Sequence, residues 1–187
     1  MKIIILIIIL MFTFIYSQND KKDEIYIIKH IKIAIEEMYK YKIPASIKIS
    51  QALLESANGE SDLAKNANNH FGIKCKNVWE GEIYLYTDDN YIECFRKYSS
   101  VKESYRDHSL FLINGKNYLS LFSIPINNYK EWAFQLKKSG YASNPEYPEI
   151  IISKIEKYKL YEFDKIKIKN LNKKIKELFP NTINFFN

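Results

Sequence analysis

The stretch SQALLESANGES, residues 50–61, closes an apolar run on a glutamate and then breaks at Asn58-Gly59. Working outward from the break, Asn-Gly supplies a helix stop. Upstream, Pro44 suits the first turn of a helix, where no backbone N–H is needed. The spacing predicts a helix from Pro44 to about Ser56. At roughly 100° per residue, Ile47, Ile49, Ala52, Leu53 and Leu54 take most of its circumference. A helix apolar nearly all round is a buried one. Lys48, Gln51 and Glu55 share the remaining strip, so Glu55 is expected on the face that meets a cleft. Burial disfavours a charged carboxylate, and the negative end of the helix dipole acts in the same direction. Together they produce an acid still protonated near neutral pH, which glycosidic bond cleavage requires. The plainer reading of Glu55 is a solvated residue on an exposed strip.

The chain has 187 residues, 47% of them apolar and 27% charged, the mix of one globular domain. Lys2 followed by IIILIIILMFTFIY and a small residue at Ser17 reads as a signal peptide over 1–17, cut near Ser17-Gln18. The apolar run is short for a membrane span, so no membrane contact is expected beyond an uncleaved leader. Loss of Lys2 takes the formal charge from +6 to +5. A mildly basic exported chain approaches acidic surfaces, although basic charge also serves solubility.

Ile28, Ile31, Ile35 and Met38 predict a first helix over 24–41. Ser61 or Asp62 starts a short turn through Ala67. Ile83 to Tyr86, a polar corner over 87–90, and an apolar run to Tyr98 predict a β-hairpin, with Cys75 and Cys94 at its base. Ser100 and Glu103 form a capping box before a helix through Leu112. Asn128 caps a helix that ends at Gly140, and another runs from Glu146 to Tyr158. The Lys- and Asn-rich residues 163–187 read as a loosely attached basic tail.

A glycosidase usually needs a second carboxylate. Asp88 and Asp89 at the hairpin corner are candidates, although Asp-Asp-Asn is also ordinary turn chemistry. Glu80, Glu82 and Glu93 stay open on spacing. His30, His70 and His108 show no metal-ligand spacing, and Asp107-His108 reads as a helix-surface pair. There is no phosphate loop and no dinucleotide fingerprint. No metal, cofactor or nucleic acid is expected, and a monomer is.

The run IPASIKISQALLESANGESDLAKNANNHFGIKCKNVWEGE, residues 43–82, resembles the opening of the bacterial glucosaminidase family, which cleaves peptidoglycan and includes flagellar muramidase-like proteins and autolysins. ECFRKYSSVKESYRDHSLFL, YKEWAFQLKKSGYASNPEY and ISKIEKYKLY follow in family order, so the resemblance covers roughly 42–161 and a domain over 24–162. The paired cysteines and short hairpin are similar to the form common in Bacteroidetes. The resemblance implies an α+β, lysozyme-like fold: a mainly helical lobe, a small β-hairpin lobe, and a glycan groove between them. It implies a hydrolase of the β-1,4 bond between N-acetylglucosamine and N-acetylmuramic acid, exported to the periplasm or cell surface, with peptidoglycan strands as partner. It carries the catalytic glutamate onto Glu55, the groove tyrosine onto Tyr141 and the β-lobe carboxylate onto Asp89, with Asp88, Gln51, Phe71 and Trp79 as substrate-binding. Ser50 departs from the usual alanine before Gln51, and Ser143 and Asn144 stand where Thr and Asp are frequent. A non-catalytic glycan-binding or assembly protein and a lytic transglycosylase are the alternatives on the same fold. In an exported chain, a disulfide between Cys75 and Cys94 is expected.

Overall fold

Helix α2 (Ala45–Glu55) is the axis of the molecule, and every residue from Ala45 to Leu53 is buried. The computed structural model describes residues 2–76, 79–88 and 91–185, with backbone alone for 2–17, Asp88 and Phe185. Around α2 pack α1 (Lys2–Tyr41), α5 (Tyr129–Lys138), α6 (Tyr147–Lys157) and the 3-10 turns of Leu160–Lys165. The stripe Ile27, Ile31, Ile35 and Met38 of α1 is buried in this core, as an apolar face at helical spacing requires.

Both ends of α2 have identifiable causes. Pro44 stands at the N-cap with no side-chain cap of its own. Asp164, 118 residues further on, supplies one: Ser46 N donates to its Oδ1 at 2.8 Å and Ser46 Oγ to its Oδ2 at 2.6 Å. Free N–H groups at a helix start need such acceptors. At the exit, Ala57, Asn58 and Gly59 are left-handed in succession, with φ of 48°, 63° and 80°. A Cβ on Gly59 would also come within 3.2 Å of the Tyr26 ring. The chain turns away into α3 (Asp62–Ala67), whose N-cap Ser61 Oγ accepts from Ala64 N.

The hairpin pairs β1 (Ile83–Asp88) with β2 (Tyr91–Arg96), Ile83 opposite Arg96 and Asp88 opposite Tyr91. β1 continues through Thr87 and Asp88, two residues past the expected start of the corner. Cys75 and Cys94 are bonded, and Cys75 N donates to the Cys94 carbonyl at 2.8 Å. The hairpin is clamped onto α4 (Val101–Asn114). Arg96 donates to both Asp107 oxygens at 3.0 and 2.9 Å, Tyr98 Oη donates to Asp107 at 2.7 Å, and the Trp79 ring covers the guanidinium at 4.8 Å. Asp107 and His108 are therefore no helix-surface pair: Asp107 holds the hairpin and His108 is fully buried. Ser100 Oγ accepts from Glu103 N as expected, while the Glu103 carboxylate takes Ser99 N.

The tail is not loosely attached. In α7 (Leu171–Leu178), Leu171 and Ile175 enter the core with Phe179 just beyond, at intervals of four that make one buried face. Asp164 and Ile166 are buried, and the Thr182 hydroxyl bonds Glu24 of α1. The whole is a mainly helical body with a two-stranded antiparallel hairpin, an α+β arrangement. The leader reading of 1–17 concerns residues whose side chains lie outside the description. Among the described residues no helix is long and apolar enough to cross a membrane.

Candidate active site

Between the helical body and the hairpin lies a cleft of about 690 Å³. Tyr141, Tyr147 and Glu55 line it from the helical side, Phe71 and Ile73 from its floor, and Tyr86 and Phe95 from the hairpin. Glu55 is the last residue of α2, and among the described residues it is the carboxylate that lines the cleft. Solvent reaches this side chain through the open top. The protein around it still disfavours the charged form, and that desolvation pushes its carboxyl up to about 7. Water contact and a raised value coexist because a group on a cleft wall touches water while much of its field runs through protein.

Two phenols stand beside the acid. Helix α5 ends in paired reverse bonds, Tyr141 N to Leu136 O and Gly140 N to Lys137 O, both 3.0 Å, a Schellman cap. Gly140 takes φ of 80°, which turns Tyr141 off the helix axis and into the cleft. Its hydroxyl lies 3.0 Å from His108 Nε2. Tyr147, in the first turn of α6, accepts from Gln51 Nε2 at 2.8 Å. Burial first, and the nearby Glu55 charge after it, push both phenols up, so both remain protonated hydrogen-bond donors.

The structure brings Glu55, Tyr141 and Phe71 into one cleft. Phe71 is a wall whose ring stacks on His108 at 4.0 Å. Gln51 was expected against substrate, but it is fully buried behind Tyr147, with Oε1 lacking a protein partner. Lys48, on the same strip, is also fully buried. Trp79 lies at the hairpin base, its indole N–H on the Glu82 carbonyl at 2.8 Å, and does not line the cleft. Asp88 ends β1 with its side chain undescribed, and Asp89 lies outside the described residues. Sequence reasoning missed Tyr147 and Tyr86. Strand alternation places Tyr86 on the face shared by Phe95, a signal that was available. Among the described residues no group of three His, Cys, Asp or Glu is placed to hold a metal.

Comparison with known proteins gives a consistent picture. Residues 31–160 match the glucosaminidase family model, described as mannosyl-glycoprotein endo-beta-N-acetylglucosaminidase. The chain is 38% identical over 162 residues to the exo-glucosaminidase LytG of Bacillus subtilis, covering 79% of this chain and 56% of LytG. It thus spans little more than half the length of that relative. It is similar to the catalytic domain of the autolysin Auto from Listeria monocytogenes, with a TM-score of 0.64, 28% identity, and 76% and 88% of the two chains covered. The glycoside hydrolase domain of Salmonella typhimurium FlgJ shares the fold, with a TM-score of 0.63 at 21% identity, covering 87% of this chain and 98% of that one.

Proposed function

We propose that this chain, which belongs to the glucosaminidase family of glycoside hydrolases, is an extracytoplasmic peptidoglycan hydrolase with Glu55 as its general acid. The bond cut is the β-1,4 link between N-acetylglucosamine and N-acetylmuramic acid. The observation that carries the reading is a carboxyl at the end of a buried helix, on the helical side of the cleft, with burial raising it to about 7. An acid whose pKa matches the working pH is both protonated and able to give its proton up.

In this reading a glycan strand lies along the cleft, with Phe71 and Tyr86 as apolar walls against sugar faces. Glu55 gives its proton to the glycosidic oxygen as the bond to the leaving sugar breaks, and water adds its oxygen to the anomeric carbon and gives up a proton. Tyr141 and Tyr147, both protonated, donate to the sugar or to the carboxylate left on Glu55. Positive charge developing on the anomeric carbon needs a partner from the other lobe, and we assign Asp89, with Asp88 beside it. Export through cleavage of residues 1–17 completes the proposal.

Glu55→Gln tests it, because the amide keeps the shape and removes the proton donor. General acid catalysis is worth about 10²–10⁴-fold, so lysis of purified sacculi is expected to fall by that factor while the thermal transition stays cooperative. A folded Gln variant with near-normal lysis overturns the assignment.

A further inference from the structure

Behind Tyr141 runs a line of buried polar groups that the chemistry above does not use. Lys48 is fully buried on α2. Its Nζ meets three acceptor sites, all from α4: Ser109 Oγ at 2.8 Å, His108 Nδ1 at 2.9 Å and the Tyr105 carbonyl at 3.4 Å. His108 Nε2 in turn lies 3.0 Å from the Tyr141 hydroxyl. On the far side, Ser109 Oγ donates to Glu37 Oε2 at 2.7 Å, and Glu37 is held by Arg106 at 2.9 and 3.1 Å.

The donor inventory fixes the direction of this line. An ammonium has three protons and no lone pair. Lys48 therefore donates to Nδ1, which must be the bare nitrogen of His108. Burial and the Lys48 charge hold His108 well below its usual range, so the ring is neutral. A neutral imidazole with bare Nδ1 carries its proton on Nε2. That proton can go only to the Tyr141 oxygen, whose own proton is then turned away from His108. The opposite side of Tyr141 is the cleft, where Glu55 lies. Phe71, stacked on the His108 ring, covers the imidazole on the cleft side. Burial lowers Lys48 to about 7 although the Glu37 charge opposes it, so the ammonium is the form present below neutral pH.

We propose that Lys48 and His108 are positioning residues: through the tautomer of His108 they set the Tyr141 hydroxyl as a donor into the cleft. An alternative polarity, with His108 accepting from Tyr141, would spend the phenol proton inside the core and present only lone pairs to Glu55 and the substrate. The proposal rests on the reading of Glu55 as the acid, since it concerns what Tyr141 offers that site.

Heteronuclear NMR of the histidine ring nitrogens in the wild-type chain, below neutral pH, reads the tautomer without any variant. A protonated Nε2 and bare Nδ1 on His108 are expected, and a protonated Nδ1 overturns the proposal. The functional arm is a double-mutant cycle on sacculus lysis. Lys48→Met and Tyr141→Phe should each lower kcat on the order of tenfold, the scale of one hydrogen bond, with KM little changed. The double variant should lose no more than Tyr141→Phe alone, because Lys48 acts through that hydroxyl. His108→Gln, whose amide both accepts and donates, should keep more activity than His108→Phe. Multiplicative losses in the cycle overturn the proposal. A wild-type chain with the Nε2 tautomer and no lytic activity would sink the Glu55 reading instead, leaving the hydrogen-bond direction supported.

Discussion

Raising the pH through neutrality switches the proposed reaction off, and the structure sets where. The reagent is the Glu55 proton. Burial moves its loss up to about 7. By simple titration the acid is then roughly 90% protonated one unit below that point and roughly 10% one unit above it. Lysis rate per enzyme at low substrate falls about tenfold per unit on the alkaline side. A glutamate at its ordinary value, near ~4.3, would be almost wholly ionised by about pH 6. The two cases therefore separate most clearly between about pH 5 and 7, where the structure keeps activity high and an unperturbed carboxyl loses it. Tyr141 and Tyr147 face Glu55 but are pushed up and stay neutral across this range. Lys48 is lowered to about 7 by desolvation, so the profile is repeated in Lys48→Met to isolate the Glu55 limb. The assay is turbidity loss of purified sacculi from about pH 5 to 9, at constant ionic strength. Stability carries the same sign. A carboxyl raised in the folded state contributes stability that is present below its unfolded value and is lost as pH rises through about 7. Glu55→Gln should therefore gain on the wild type in thermal midpoint as pH rises from the ordinary carboxylate value to about 7, and the difference should level off above that. An alkaline limb at the ordinary carboxylate value, or a profile flat through neutrality, refutes the reasoning.

Other perturbations test the frame that holds the acid. Asp164→Ala strips buried Ser46 of its acceptors and should cost about 1–3 kcal/mol, a fall in thermal midpoint of roughly 2–4 °C per kcal/mol; a shift too small to resolve would remove its role as the α2 cap. Replacing both Cys75 and Cys94 by Ser opens a loop of 19 residues, worth about 3 kcal/mol by loop entropy, read as the denaturation midpoint against wild type. Gly59→Ala meets both a φ of 80° and the Tyr26 ring at 3.2 Å, so calorimetry should show a loss of about 1–3 kcal/mol. Tyr141→Phe leaves buried His108 Nε2 without its partner; a loss of about 1–3 kcal/mol in stability accompanies the fall in turnover, and unchanged values of both would remove the hydrogen bond from the account.

What the sequence revealed was local. Pro44, the all-round apolar run to Leu54, and the Asn58-Gly59 stop placed α2 and put Glu55 on its last turn, because each signal acts within a few residues. The capping residues Ser100 and Asn128 read correctly for the same reason, and of the two starts offered at Ser61 or Asp62 the structure takes Ser61 as the cap. The strip Lys48, Gln51 and Glu55 was read as one cleft-facing surface, yet only Glu55 emerges. Polarity on a helix face says that a partner exists, not whether it is water or a buried group from another element. The partners of Lys48 and Gln51 lie 60 and 96 residues away, and the cap on Ser46 lies 118 away, beyond any spacing rule. His108 was within reach: Tyr105, His108 and Leu112 recur at three and four, a buried face of α4. The tail misled because its lysines set its composition, while Leu171, Ile175 and Phe179 set its packing.

The most direct measurement is mass spectrometry of the fragments released from purified peptidoglycan, digested in heavy-oxygen water. The account predicts new ends at N-acetylglucosamine that are reducing and carry solvent oxygen, formed by the wild type and not by Glu55→Gln. Ends closed as an anhydro ring, reducing ends at N-acetylmuramic acid, or fragments released equally by the Gln variant would contradict it.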